Sequence, residues 1–188
     1  MVETTGLRER RLELRRRAVR DAAAEEFSKV GYELATLEDI GERLGLSKAG
    51  LYYYVEGKER LLIDLADDAV ARVETAIEGD MEDSTDGQRR RRFVAAHMSV
   101  ALHTATGQVL AANLERLFSM PDARPVWERY EQALQDILVD GIDSGEFGEI
   151  DPVITSRMLL AAMNATARWF DPGGPMSADD LVERTVHT

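Results

Sequence analysis

The chain has 188 residues, no cysteine and a formal net charge of −12. That length can bury a substantial core, and the lack of cysteine excludes disulfides and thiolate metal sites and agrees with a reducing compartment. No apolar run approaches the ~20 residues a membrane span needs, so the sequence reads as cytoplasmic, with no membrane partner.

The charge is unevenly placed. Residues 1–60 hold 12 Lys+Arg against 12 Asp+Glu, whereas residues 61–188 hold 11 against 23. Lys29, Lys48 and Lys58, the three lysines of the chain, all fall in the first part, as do seven arginines between Arg8 and Arg20. One part is therefore suited to approach an anion, and the acidic remainder is not.

Helical spacing recurs along the chain and no sustained period-2 alternation does, so an all-α protein of about nine helices is expected. The first helix is predicted from about Leu7 to Val30, with Val19, Ala22, Ala23, Phe27 and Val30 on one stripe and Gly31 as its stop. Its opening, RERRLELRRR, is charged all round. Either a solvated helix extension or a disordered arm accommodates such a run, and the arm is the usual outcome.

Thr36 begins TLED, a Thr-x-x-Asp start of capping-box type, and Leu37, Ile40 and Leu44 form a buried face. Gly45 breaks that helix. Ser47 is the N-cap of a second, Lys48 to about Val55, in which Leu51 and Val55 turn inward at i, i+4. Two short helices separated by three residues around a glycine form a helix-turn-helix signature, a spacing also found in helical hairpins that never touch DNA.

A longer helix is predicted from Lys58 to about Glu78, then a polar loop at 79–87 and an Arg-started helix to about Thr106. A further segment runs from a bend at Gly107 to Met120. Val126 to about Asp143 is predicted as a helix with Trp127, Tyr130, Leu134, Ile137 and Leu138 on its apolar side. Asp151 and Pro152 supply an N-cap and a first-turn proline for a helix to about Phe170, and Ser177 caps a last one from Ala178 to the terminus.

The run AAAEEFSKVGYELATLEDIGERLGLSKAGLYYYVEGKERLL resembles the DNA-binding domain of TetR-family (TetR/AcrR) transcriptional regulators. The matching parts come in order: an alanine-rich helix, Phe27, Gly31-Tyr32, Thr36 with Ile40, Leu44-Gly45-Leu46-Ser47, Gly50-Leu51-Tyr52 and Gly57-Lys58-Glu59. The resemblance spans residues 17–66, about a quarter of the chain. It departs at Gly41, where the family more often has alanine, and at Val55, where phenylalanine is commoner. A weaker stretch, RWFDPGGPMSADDL, resembles the C-terminal end of members that sense fatty acyl or other coenzyme A thioesters.

The resemblance implies a helix-turn-helix DNA-binding domain at 1–57 and a ligand-binding and dimerisation domain at 58–188. It further implies a homodimer joined through the helices at 152–170 and 178–188, a double-stranded palindromic operator, and a repressor released by a small-molecule effector. An acyl or coenzyme A thioester is the effector class to consider. No cofactor and no metal are expected. A ligand-independent or architectural DNA-binding regulator is the alternative, and a C-terminal enzyme the weaker one, since no nucleophile motif, phosphate loop or metal constellation is visible.

With the second helix of the motif in the major groove, each contact can be weighed by its chemistry. Ser47 is a helix cap or a phosphate holder. Lys48 can reach guanine O6 and N7, and Ala49 and Gly50 are small enough for close approach, with Ala49 against a thymine methyl or simply helix filler. Tyr52 is expected to be partly packed, with its hydroxyl available to phosphate, and Tyr53 and Tyr54 to face the DNA. Lys58, electrostatically poor at a helix start, is expected to meet a phosphate, and Thr36 is a cap first and a phosphate donor second. The Arg-rich arm either reaches the adjacent minor groove or, the preferred reading, raises local positive potential, and QRRRR at 88–92 reads as a solvated helix start or an internal ion-pair partner, with an anionic ligand such as a coenzyme A phosphate as the minor alternative.

The apolar residues Met98, Leu102, Phe118, Met120, Trp127, Tyr130, Met158, Met163 and Trp169 are the expected core. Of these Met98, Leu102, Phe118, Trp127, Tyr130, Met158 and Trp169 are the candidate lining of a ligand cavity. His97 and His103, six apart, are wrongly spaced for a metal pair on one helix face and read as ordinary helix residues, either of which could line a pocket.

Overall fold

The computed structural model describes residues 2–78 and 84–186, with side chains from residue 8 onward in the first helix. It is all helical, with ten α-helices and one 3₁₀ turn among the described residues and no strand there. Residues 79–83 of the expected polar loop, and the last two residues of the expected final helix, lie outside the described residues. The chain divides into two compact units, Met1–Leu65 and Ala66–Thr188.

In the first unit α1 runs Val2–Val30, α2 Leu37–Arg43, α3 Lys48–Tyr52, and α4, Lys58–Glu78, contributes its opening turns. The charged opening of α1 is helix and not an arm. Arginine, leucine and glutamate are strong helix formers, no proline interrupts the segment, and Arg20 Nη2 donates to Glu13 Oε1 at 2.9 Å along its surface. Val19, Ala22, Ala23 and Phe27 are buried as the stripe predicts, whereas Val30, at the helix end, is exposed.

Gly31 and Gly45 end α1 and α2 at φ +85° and +64°, a left-handed conformation that side chains with a Cβ resist. Gly45 thereby fixes the tight turn between the two helices of the motif. Leu37, Ile40, Leu51, Val55 and Leu61 close the core of this unit, and Phe27 meets Tyr32 edge to face with ring centroids 5.2 Å apart. Arg43 ties α2 to α1 through ion pairs with Glu25 and Glu26.

In the second unit α5 (Asp86–His103) is central and packs against α6 (Ala105–Ala112), α8 (Arg124–Asp143), α9 (Pro152–Trp169) and α10 (Ala178–Val186). Two helices, α6 and α7 (Leu114–Ser119), stand where the sequence suggested one segment, which accounts for ten helices against nine. Thr104 caps α6 by accepting from the Gly107 amide at 2.9 Å, and Asn113 interrupts the backbone before α7. Phe93, Met98, Leu117, Leu134 and Ile137 are fully buried.

The N-terminus of α5 is held by a distant carboxylate: Glu146 accepts from Thr85 Oγ1 and from the Gly87 amide, each at 3.0 Å. Within the 88–92 cluster, Arg89 is the internal ion-pair partner, reaching Asp86 at 3.1 Å and Asp140 at 2.6 Å. Arg129 of α8 likewise clamps the part of α4 in this unit, with Asp67 and Glu74 each at 2.8 Å. No helix among the described residues is long and apolar enough to cross a membrane.

Three expected core residues are not in the core: Phe118 is 60% exposed, Met158 68% and Trp169 61%. The last two fall on a face of α9, with Ile154, Ala162 and Ala165, that is exposed over much of its length. Helical spacing of apolar residues reports that a face exists, and does not say what covers it.

Candidate nucleic-acid interface and effector cavity

The α2–turn–α3 unit is built by local capping. Thr36 accepts from the Asp39 amide at 3.2 Å while the Asp39 carboxylate accepts from the Thr36 amide at 3.3 Å and from its hydroxyl at 2.6 Å, a full capping box. Ser47 Oγ accepts from the Gly50 amide at 3.1 Å. Leu51, wholly buried, anchors α3, which leaves Ser47, Lys48, Ala49, Tyr52 and Tyr53 exposed and Gly50 half-buried.

Lys48 does not extend freely from this face. It forms an ion pair with Glu38 of α2, and that hydrogen bond and charge draw the Glu38 carboxyl below its usual range and the Lys48 ammonium above its own. Both side chains are exposed, so the pair is weak and salt-sensitive, and an incoming base edge or phosphate can compete for the lysine. Ten residues separate the partners and no helical spacing links them, so nothing in the sequence singles out Glu38.

The tyrosines depart from the expected order. Tyr53 is 72% exposed and Tyr52 49%, while Tyr54 is half-buried, edge-on to Tyr53 with centroids 5.1 Å apart. The reason is that α3 ends at Tyr52. The amides of Tyr54 and Val55 both reach back to the Leu51 carbonyl, at 2.8 and 3.2 Å, so the 100° step between successive side chains no longer holds there.

Lys58 is engaged inside its own unit. Its ammonium donates to the carbonyls of Tyr32, Ala35 and Glu33 at 2.7, 3.1 and 3.2 Å and lies 4.6 Å from the centre of the Tyr32 ring. A lysine has three N–H donors, and all three serve the α1–α2 turn. Within the free protein these acceptors answer the poor fit of a cation to a helix start.

The second unit contains a cavity of about 60 Å³. Trp127 and Tyr130 line it as expected, with His97, Val100, Leu110 and Asn164 among the other walls. Met98 is buried in the core without lining this space, Leu102 is half-buried away from it, Phe118 borders an open groove, and Met158 and Trp169 stand on the exposed face of α9. Apolar character identifies these residues, but the angular position of each on its helix decides which way it faces. Asn164 is not among the expected lining, although it is a lone amide in the run LLAAMNATA.

Tyr130 hydroxyl and His97 Nδ1 are hydrogen-bonded, and the Tyr130 and Phe93 rings stack with centroids 5.1 Å apart. Burial pushes the Tyr130 hydroxyl strongly up and lowers His97 to about 4, the latter opposed by the Met163 carbonyl. His97 is therefore neutral at pH 7. Among the described residues no Lys or Arg lines the cavity.

A helix-turn-helix with an exposed second helix, followed by a separate helical unit with an internal cavity, defines a one-component regulator by its architecture. Residues 19–65 match the model of bacterial regulatory proteins of the tetR family, and residues 83–188 match that of the tetracyclin repressor-like C-terminal domain. The chain belongs to the TetR family and is a DNA-binding transcriptional regulator.

Among relatives, the transcriptional repressor KstR2 of Mycobacterium tuberculosis (H37Rv) is 27% identical over 178 residues, which cover 89% of this chain and 86% of that one. The structure of PfmR from Thermus thermophilus superposes with a TM-score of 0.72 at 30% identity, covering 90% of this chain and 94% of the other. AibR, solved with isovaleryl coenzyme A and operator DNA, shares the fold at TM-score 0.72 and 19% identity, covering 92% and 96%.

Proposed function

We propose that the protein is a ligand-released repressor that binds an inverted-repeat operator as a homodimer in the bacterial cytoplasm. In this reading residues 1–57 read the DNA and residues 58–188 dimerise and sense. The observation that carries the reading is the α3 face, where Lys48, Ala49, Tyr52 and Tyr53 stand exposed around the buried anchor Leu51.

Lys48, once exchanged from Glu38, is the candidate reader of a guanine edge, and the Tyr53 hydroxyl, with that of Tyr52, is a candidate phosphate donor. Thr36 and Ser47 act through the caps that fix this face. Ile154, Met158, Ala162, Ala165 and Trp169 form an apolar face of α9 suited to a second copy, and the two copies then present two reading heads to a two-fold DNA site.

The cavity favours an effector-responsive protein over a ligand-independent one, because a small molecule bound better in one conformation shifts the DNA-competent population. A cavity of about 60 Å³ admits the acyl end of a thioester and not the whole coenzyme A. Selection of random duplexes by the full-length protein is the test: enrichment of an inverted repeat is expected, and enrichment of single half-sites, or of no sequence, contradicts the proposal.

A further inference from the structure

The cavity of the second unit is lined largely by apolar residues and by Trp127, whose indole carries a buried donor that nothing among the described residues satisfies. Trp127 lines it, and the Nε1–H of that indole is buried without an acceptor. An indole nitrogen can only donate, and a buried donor left unmade costs free energy, so this N–H calls for an acceptor oxygen. His97 Nε2 is a second buried nitrogen without a hydrogen bond of normal geometry, and Asn164 adds an amide to the same wall.

Among the described residues no Lys or Arg lines the cavity, and His97, lowered by burial to about 4, carries no charge at neutral pH. A carboxylate or phosphate entering here would shed its water without a counter-charge, which is strongly unfavourable. The volume sets the size: about 60 Å³ holds about four to six water-sized groups at roughly 10–15 Å³ each.

We infer that the cavity binds a small, uncharged, apolar carbonyl group, its oxygen accepting from Trp127 Nε1–H and its hydrocarbon part lying against Val100 and Leu110. The inference rests on the reading of this unit as the effector domain and names the chemistry the effector must carry. A free ketone or ester and the acyl end of a thioester share that chemistry.

The probes are butanone, its charged counterpart propanoate, and 2-methylbut-1-ene, in which a methylene replaces the carbonyl oxygen. With five non-hydrogen atoms each, they bind no tighter than about the micromolar range. The readout is the indole N–H region of a ¹H–¹⁵N spectrum of the full-length protein, which holds two tryptophans, Trp127 and Trp169. A Trp169→Phe variant assigns the Trp127 signal.

Butanone is expected to move the Trp127 indole proton downfield saturably and leave Trp169 in place. The alkene should perturb Trp127 without the downfield shift, and propanoate should bind at least about tenfold more weakly than butanone, as an unpaired buried charge requires. Propanoate binding equal to or tighter than butanone, or no response of Trp127 to butanone, overturns the inference. Propanoyl coenzyme A, if it shifts Trp127 at lower concentration than butanone, identifies a thioester as the source of the carbonyl, and the reverse order identifies a free compound.

A parallel gel shift separates the two claims. Butanone that shifts Trp127 without releasing operator DNA contradicts ligand release and leaves the cavity chemistry standing. Propanoate that releases DNA while butanone does not overturns the cavity chemistry and leaves ligand release intact.

Discussion

A Lys58→Met variant is expected to lose ~2–4 kcal/mol of stability in the first unit, because three charge-assisted hydrogen bonds and a cation–π contact disappear together. Methionine keeps most of the aliphatic stem, so packing is retained and the donors are what is removed. The carbonyls of Tyr32 and Ala35 belong to buried residues and regain only part of their hydration, whereas that of exposed Glu33 reaches water. Urea unfolding followed by the helical signal measures the effect. If Lys58 were a phosphate contact instead, the variant would keep wild-type stability and would lower the dependence of DNA affinity on salt by about one phosphate.

The second large effect is on stability against pH. His97 has an ordinary value of 6.5 and a folded value of about 4. Between these limits the unfolded chain binds a proton that the folded chain refuses, so the stabilisation is present above pH 6.5 and is lost as pH falls toward 4. The difference amounts to about 3 kcal/mol in full and about 2 kcal/mol by pH 5. Unfolding midpoints at pH 7.5 and pH 5 measure it, with His97→Gln as the reference. The variant is expected to be less stable at pH 7.5, having lost its bond to Tyr130, but to show a shallower decline toward pH 5. An equal decline in both proteins would show that His97 is not the titrating group.

Much of the DNA-reading unit is legible in the sequence because its determinants are local. Capping by Thr36 and Ser47, the break at Gly45 and the inward pair Leu51 and Val55 each depend on residues within one or two turns. Where the determinants are distant, the sequence is a poorer guide. The Glu38–Lys48 pair, the Lys58 clamp on the α1–α2 turn and the Glu146 cap on α5 join residues with no spacing rule between them. The order of exposure among the three tyrosines departs from expectation because α3 stops at Tyr52, which leaves Tyr53 and Tyr54 outside its regular turns.

Legibility in the second unit follows the same division. Trp127 and Tyr130 lie on an amphipathic helix whose inner face is well marked, and both line the cavity. The stripe on α9 is equally regular, yet Met158 and Trp169 are exposed. An apolar stripe that meets a partner copy and one that meets the protein's own core have the same periodicity, and only the packing of the neighbouring helices tells them apart.

Whether the exposed α3 face reads DNA is tested by operator binding of a Lys48→Ala, Tyr53→Phe double variant. Both side chains are exposed, and the lysine is held by a surface ion pair, so the fold should be unaffected to within ~1 kcal/mol. Loss of a base contact and a phosphate contact should together weaken binding by about 2–4 kcal/mol, roughly thirtyfold to a thousandfold, with the oligomeric state unchanged. Operator affinity equal to that of the wild type at the same salt concentration would show that the α3 face does not read DNA.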